Sequence, residues 1–380
     1  MKIKIGIDAT YTPHGGAKAQ LINMLSFFLN DESIEIFIYS KKQNKWLLEN
    51  YDHKKINVKY SWLSGKSTVT RVIWEQLFLP FYVSKDNLDV LFCPGNISPL
   101  ICSAKKIQWI GTIGPFWDPI YSLPLGIKQK IVLYVNKYFI LKSAQRADSV
   151  VFESEYTQNF FIEKYNIQAS KSSVINIGKD NFFLSDINVN VPSFHASSPF
   201  VLCVSHLYPY KQIPEMIEAF CSVNRENDLK YTLMIAGSKV SDSYYRKILT
   251  MIDKNDANDF VKLLGAVSKE NLYFLYSECE LMLFPSPCEN FAYTLVEAMS
   301  RGAPIVCSNT TAMPETCGDA AVYFDPFDID DMKKSIRLVL SDKNLENKLR
   351  DNSLKRVIQL PSYEEATTRT IDIMKRIVNE

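Results

Sequence analysis

The chain lacks any pair of cysteines close enough to form a zinc knuckle or a redox dithiol. Its eight cysteines, Cys93, Cys102, Cys203, Cys221, Cys279, Cys288, Cys307 and Cys317, are never nearer than nine residues apart, so no CxxC spacing exists. Several stand in apolar runs such as Val201-Leu202-Cys203-Val204, where a thiol acts as a small hydrophobe; they read as reduced and cytoplasmic. No run of 18 apolar residues occurs, and Met1–Asp8 alternates like a strand instead of offering a signal-peptide core, so no membrane span or leader is expected. An excess of one charge is also missing. Lys plus Arg total 43 against 42 Asp plus Glu, which removes the global field that recruits nucleic acid. The GxGxxG fingerprint of dinucleotide sites is absent, as are low-complexity tracts and repeats of solenoid period.

What is present is an ordinary globular composition, 47% hydrophobic and 22% charged, in 380 residues. That length exceeds the size at which one core stops growing, so two domains are expected. Short apolar runs alternate with segments of helical period, the pattern of parallel α/β domains. Candidate strands in the first half are 3–8, 35–40, 88–93, 107–113, 149–153 and 173–177. The stretch 179–199 breaks the rhythm with Asn, Asp, Ser and Pro and reads as a linker. A second series follows at 200–205, 231–237, 261–264, 280–284, 304–308 and 321–324. Ser362–Glu380 has the apolar period of a helix. The expected architecture is two Rossmann-like doubly wound domains facing a cleft: residues 1–180, residues 199–361, and a terminal helix at 362–380.

Glu289 and Glu297 carry the chemistry. The first lies in a loop after a Pro pair, in Pro285-Ser286-Pro287-Cys288-Glu289-Asn290-Phe291; the second lies about two turns inside the following helix. A helix mouth offers unpaired N–H groups and positive potential, a seat for phosphate, and ionised carboxylates accept hydrogen bonds from sugar hydroxyls. A nucleotide-sugar has that layout: ribose, pyrophosphate, sugar. His206 and Lys211 follow the strand at 200–205, where cations would neutralise a departing pyrophosphate, although a loop lysine is more often solvated and a histidine more often structural. Gly15-Gly16 read either as a turn or as a close approach of backbone to an anion. Asp328-Ile329-Asp330 reads as a helix cap before a metal site, and Glu315 and Asp118 read as isolated structural acids. Residues 115–125, with Lys128, Lys130, Lys137 and Lys142 beyond, fit either an anchor at an anionic membrane surface or a core helix with snorkelling lysines.

Along nearly the whole chain these residues resemble the retaining glycosyltransferases of family 4 (glycosyl transferases group 1), which have the GT-B fold. The second half carries the likeness: Leu207–Lys211, Leu233–Gly237, Leu263–Val267, the Glu289/Glu297 block, and Gly302-Ala303-Pro304-Ile305-Val306 through Pro314-Glu315 to Gly318-Asp319-Ala320-Ala321. In the first half Trp74-Glu75-Gln76, Cys93-Pro94-Gly95-Asn96 and Ser154-Glu155-Tyr156-Thr157 also look like the family. The resemblance implies that Glu289 contacts the donor sugar, Glu297 the ribose, and Lys211 the diphosphate. His206, Gly16, Asn290, Phe291, Ala292, Tyr293 and Thr294 would complete the donor site, in part through backbone amides. It further implies a metal-independent reaction without cofactor, with the donor in the second domain and a saccharide or lipid-linked acceptor at the first. Two departures stand out: Ser205-His206 replaces the usual Gly-Arg, and Thr112-Ile113-Gly114-Pro115 offers no catalytic histidine. The expected activity is hexose transfer in bacterial surface-polysaccharide assembly, in the cytoplasm or at its membrane face. A nucleotide-sugar epimerase and a non-catalytic nucleotide-sugar-binding subunit are the alternatives.

Overall fold

The computed structural model describes residues 2–11, 15–42, 44, 56–123, 125–187, 189, 199–226 and 230–380. Residues 12–14, before the glycine pair, and 188 and 190–198 of the expected linker therefore lie outside the described residues. The chain divides into two compact units, one of Met1–Gly178 with Pro361–Glu380, the other of Lys179–Leu360.

Unit 1 holds a parallel sheet of β1 (Ile3–Ala9), β2 (Ile34–Lys41), β3 (Ile56–Ser61), β4 (Val90–Cys93), β5 (Lys105–Ile110), β6 (Ser149–Phe152) and β7 (Ser172–Val174), in the order β3-β2-β1-β4-β5-β6-β7. Strand β3 is absent from the sequence expectation. It is an edge strand that alternates Asn57, Lys59 and Ser61 with Ile56, Val58 and Tyr60, and so lacks the continuous apolar run that marks its doubly buried neighbours. Its helices are α1 (Gly15–Asn30), α2 (Thr68–Ile73), α3 (Leu79–Lys85), α4 (Ile127–Arg146) and α5 (Glu155–Tyr165). A π-helical turn, Trp74–Phe78, joins α2 to α3.

Unit 2 repeats the plan with β8 (Phe200–Val204), β9 (Thr232–Ala236), β10 (Val261–Gly265), β11 (Leu281–Phe284), β12 (Ile305–Ser308) and β13 (Ala321–Phe324), ordered β10-β9-β8-β11-β12-β13 and all parallel. Its helices are α6 (Asn181–Leu184), α7 (Ile213–Glu226), α8 (Asp242–Lys254), α9 (Lys269–Glu278), α10 (Tyr293–Ser300), α11 (Met313–Cys317), α12 (Ile329–Ser341) and α13 (Lys343–Gln359). The first part of the expected linker is thus a short helix of unit 2: Asp180 caps it, and Phe183 is buried against Tyr276. Asp328 accepts from the N–H groups of Asp330 and Asp331 at 2.9 and 3.1 Å, which makes the Asp-Ile-Asp sequence the N-terminal cap of α12.

The last helix, α14 (Tyr363–Asn379), returns to unit 1. Ser362 and Glu365 start it with a reciprocal capping box. Its apolar face, Ala366, Ile371, Met374 and Ile377, shares one core with Leu21, Met24, Leu25 and Phe28 of α1. Where the chain leaves unit 1, Gly178 lies so close to Tyr363 that a Cβ would stand 2.4 Å from its backbone N and Cα; only glycine admits that approach.

In each sheet the strand order reverses direction at one place, between β1 and β4 and between β8 and β11. Loops leaving the carboxyl ends of such neighbours diverge and frame a crevice.

Candidate active site

Lys211 follows β8 and Glu289 follows β11, and these strands are adjacent, with Leu281 beside Val201 and Met282 beside Leu202. Their loops therefore meet. Lys211 Nζ donates to Glu289 Oε1, and the two side chains are only 11% and 17% exposed. The lysine is thus buried and paired, its ammonium also lying 5.1 Å from the Tyr210 ring centroid and 5.4 Å from that of Phe284. Burial works against the Lys211 charge, but the Glu289 carboxylate outweighs it and holds the ammonium above the ordinary lysine range. An ammonium has three N–H donors, and Glu289 takes one of them.

Ala292 is the N-cap of α10, at φ +52° with no side-chain cap, and Tyr293 and Thr294 begin the helix. Ala292 has no side-chain acceptor for the first-turn amides, its carbonyl takes the Leu295 N–H at 2.8 Å, and the positive end of the helix dipole suits a phosphate. Asn290 and Phe291 of the same loop are buried. An αL conformation costs an L-residue with a Cβ about 1–2 kcal/mol, and here that strain sits in the loop that carries Glu289.

Glu297 lies in α10, and its Oε2 accepts from Tyr276 Oη at 2.9 Å. Burial pushes its carboxyl up to about 7, against the Tyr276 hydrogen bond; Asp180 raises it further and Lys269 opposes. His206 is exposed after β8, and its Nδ1 accepts from the Ser238 N–H at 3.3 Å, which places the ring proton on Nε2. Gly237 makes this turn feasible: at φ +155° a Cβ would fall 1.9 Å from the Ser205 carbonyl oxygen. Gly16 belongs to unit 1, where it stands in the first turn of α1. Glu315 is half-buried in α11, while Asp118 is exposed and 3.9 Å from Lys137.

Unit 1 has a polar centre of its own that sequence reasoning missed. At the end of β1, Asp8 accepts from the N–H and Oγ1 of Thr10 at 3.0 and 2.6 Å. The π-helical turn brings Glu75 within 3.5 Å of the same hydroxyl, and Arg71 lies 3.3 Å from Glu75. Burial pushes Glu75 up to about 8, with Arg71 opposing and Asp8 adding; burial also raises Asp8. The available signal was Trp74-Glu75-Gln76, an acid flanked by the apolar residues Val72, Ile73, Trp74, Leu77 and Phe78. The π turn that aims it inward has no mark in composition. Gln76 is structural, donating to the Ser98 carbonyl and accepting from the Leu100 N–H.

These raised carboxyls set a pH dependence. Between the unfolded value near 4.5 and the folded values of about 7 and 8, the native chain holds protons that the unfolded chain releases. The associated stability is complete in acid and is lost as pH climbs through 7 to 8. At about 1.4 kcal/mol per unit, Glu297 alone accounts for roughly 3 kcal/mol. Glu297→Gln should therefore flatten the fall in unfolding midpoint between about pH 4.5 and 7.5, measured by denaturant titration; an unchanged slope would refute the assignment.

The segment 115–125 turns inward more than expected. Phe116 is buried between the rings of Phe161 and Tyr165, and Ile120 is buried too. Buried in this way, these two side chains are unavailable to a membrane. The outward apolar residues are instead Ile127, Ile131, Tyr134 and Tyr138 of α4, at helical spacing on one face, beside the exposed Lys128, Lys130 and Lys142. A second outward row is Ile73, Leu77 and Phe81 on the run 68–85, and α2 packs on α4. No described helix is long and apolar enough to cross a membrane.

Residues 186–356 match the model of the family described as "Glycosyl transferases group 1". The O-antigen chain mannosyltransferase B of Escherichia coli is 30% identical over 176 residues, 46% of this chain and 45% of that protein. The serotype-specific mannosyltransferase WbdA of Escherichia coli is 26% identical over 230 residues, 58% of this chain and 28% of that protein. The chain thus spans less than half the length of these two relatives. Among solved structures, a glycosyltransferase from Rickettsia africae superposes at TM-score 0.75 with 16% identity, covering 100% of this chain and 99% of that one. WaaG, a glycosyltransferase involved in lipopolysaccharide biosynthesis, gives 0.73 with 13% identity, covering 98% and 99%. Anabaena HepE, solved with UDP and glucose, gives 0.74 with 18% identity, covering 98% and 100%. These likenesses show a shared fold. Residues 186–356 thus match the glycosyl transferases group 1 model, and the two parallel sheets share with these structures the GT-B fold.

Proposed function

We propose that the chain is a retaining, metal-independent glycosyltransferase that moves a hexose from a nucleoside diphosphate donor to a saccharide or lipid-linked acceptor. The setting is bacterial surface-polysaccharide assembly, and the reading rests above all on the buried Lys211–Glu289 pair, whose Glu289 lies in the loop that leads into the N-terminus of α10. That arrangement supplies a fixed cation and helix amides for a diphosphate, and carboxylates for hydroxyls on both sides of it. Unit 2 binds the donor: Lys211 and the α10 amides take the diphosphate, Glu297 the ribose and Glu289 the sugar, with His206 presenting Nε2–H at the rim. Asn290, Phe291, Ala292, Tyr293 and Thr294 form the wall of the seat.

In the transition state the bond from the anomeric carbon to the diphosphate oxygen breaks as negative charge gathers on the phosphate. Lys211 and the helix amides are aimed at that charge, which is where preorganised electrostatics contribute most. The acceptor hydroxyl adds from the face the diphosphate leaves, and its proton passes to a phosphate oxygen. Unit 1 shapes the acceptor side. The mannosyltransferase relatives in Escherichia coli make mannose the first sugar to test.

The test begins with thermal-shift titration of UDP, GDP, ADP and TDP, since a ligand that binds only the native state raises its apparent stability. The matching nucleotide-hexose is then incubated with a lipid-linked saccharide in excess EDTA, and the product anomer is read by NMR. Transfer with retained configuration supports the proposal. Inverted configuration, loss of activity in EDTA, or an epimerised donor without transfer each overturns it.

The outward rows on α4 and on the run 68–85, rimmed by lysines, support peripheral contact with an anionic membrane face. Binding to phosphatidylglycerol-containing vesicles is expected at low salt and should fall as ionic strength shortens the Debye length below about 10 Å. Ile131→Glu with Leu77→Glu should abolish it. Equal binding to neutral vesicles, or none at low salt, would contradict a charged interfacial contact.

A further inference from the structure

The Glu289 loop, Ser286–Phe291, runs from β11 to α10 without regular secondary structure, yet most of it is buried. A buried loop needs partners for its backbone polar groups, and one neighbouring segment supplies four of them. Ser308 Oγ donates to the Ser286 carbonyl at 2.6 Å, and Thr310 Oγ1 donates to the Pro287 carbonyl at 2.8 Å. Thr311 Oγ1 accepts from the Glu289 N–H at 3.1 Å. Thr316 Oγ1 donates to the Phe291 carbonyl at 2.8 Å. The contacts run in step along both segments, 286 to 308, 287 to 310, 289 to 311 and 291 to 316.

Thr311 is the key member. It is β-branched, yet it sits at φ +51°, a region where such residues are outliers that persist only when their surroundings over-determine them. In that conformation its hydroxyl reaches the Glu289 amide. Ser308 and Thr316 are fully buried at either end of the segment and anchor it.

We propose that Ser308, Thr310, Thr311 and Thr316 form a hydroxyl strap that positions Glu289, with Thr311 the member that sets the carboxylate's backbone. The inference rests on the reading of Glu289 as a donor-sugar ligand. Among the described residues no hydrogen bond joins the strap to Lys211, whose partners are Glu289 and the Tyr210 and Phe284 rings, so the donor's diphosphate is held by groups outside it. Removing the Thr311 hydroxyl therefore displaces the carboxylate at the sugar, while Lys211 and the α10 amides remain to capture the nucleotide. A misplacement of about 1 Å at a reacting centre can cost on the order of 100-fold in rate.

The experiment compares Thr311→Val, which keeps the shape and removes the hydroxyl, Thr311→Ser, which keeps the hydroxyl, and Thr311→Gly, which relaxes the backbone and removes the hydroxyl. Rates are measured with GDP-mannose and UDP-glucose as donors, in parallel with Glu289→Gln. Thr311→Val and Thr311→Gly should each lower kcat about 10- to 100-fold, with donor KM within about twofold of the unmodified chain. Thr311→Ser should return kcat to within about threefold. Unchanged kcat in both hydroxyl-free variants overturns the strap, as does a Thr311→Ser that is as slow as Thr311→Val. If Thr311→Val fails to fold, Thr311→Gly decides, because its backbone suits the conformation. Full turnover in Glu289→Gln overturns the functional reading itself, and the strap with it. Loss of turnover in Glu289→Gln beside normal Thr311 variants overturns the strap alone.

Discussion

Glu289→Gln is expected to lower transfer at least about 100-fold while nucleotide binding persists. The substitution keeps the side chain's shape and one acceptor oxygen but removes its charge. On the proposed reading the carboxylate binds sugar hydroxyls, and a neutral amide would hold them less firmly and in a different geometry. Gln is the better choice than Ala, because Ala would leave Lys211 without an acceptor in a nearly closed site, and breaking a buried pair in that way typically costs about 3–5 kcal/mol. Thermal-shift titration with the nucleotide reports whether the diphosphate seat survives, and initial rates report the transfer step. Turnover within threefold of the unmodified chain would remove Glu289 from the site.

Lys211→Met should weaken nucleoside diphosphate binding by about 1.5–3 kcal/mol, the range for a hydrogen bond to a charged group, or roughly 10- to 150-fold in Kd. Met preserves an apolar stem against the Tyr210 and Phe284 rings, so lost packing is not the cause. The same change leaves Glu289 buried without its cation, and the protein should also lose stability. Adding Glu289→Gln to Lys211→Met separates the two effects. Stability should recover in the double variant, because no unpaired charge remains, while diphosphate affinity should not, because the cation is still absent. Isothermal titration and denaturant unfolding measure the two quantities independently. An affinity equal to that of the unmodified chain would remove the lysine from the diphosphate seat.

Much of this was legible in the order of residues. The apolar runs at 200–205 and 280–284 became the adjacent strands β8 and β11, because continuous hydrophobic stretches suit strands buried on both faces. Asp328 and Ser362 cap helices, since a short polar side chain before an apolar period satisfies amides that the helix itself leaves open. The segment 115–125 illustrates the opposite. Its aromatics and the lysines beyond suggested a surface, but sequence cannot say which rings turn inward, and Phe116 found Phe161 and Tyr165 from a distant helix. Glu75 was visible as a family-like triplet and silent as a buried acid, because its orientation depends on a π turn.

By itself the sequence determined two parallel α/β units, the terminal helix, and the spacing that sets Glu289 ahead of a helix and Glu297 inside it. Those properties follow from local periodicity, capping and chain order, which short windows carry. Only the tertiary structure decided that Lys211 is buried against Glu289, that Asp8, Thr10, Arg71 and Glu75 share one buried centre, and that four hydroxyls from 308–316 brace the Glu289 loop. Each joins groups separated by tens of residues along the chain or brought into step only by strand adjacency. Their meeting is set by which elements become neighbours, β8 beside β11, β11 beside β12 and the π turn beside the end of β1, and no local pattern encodes that.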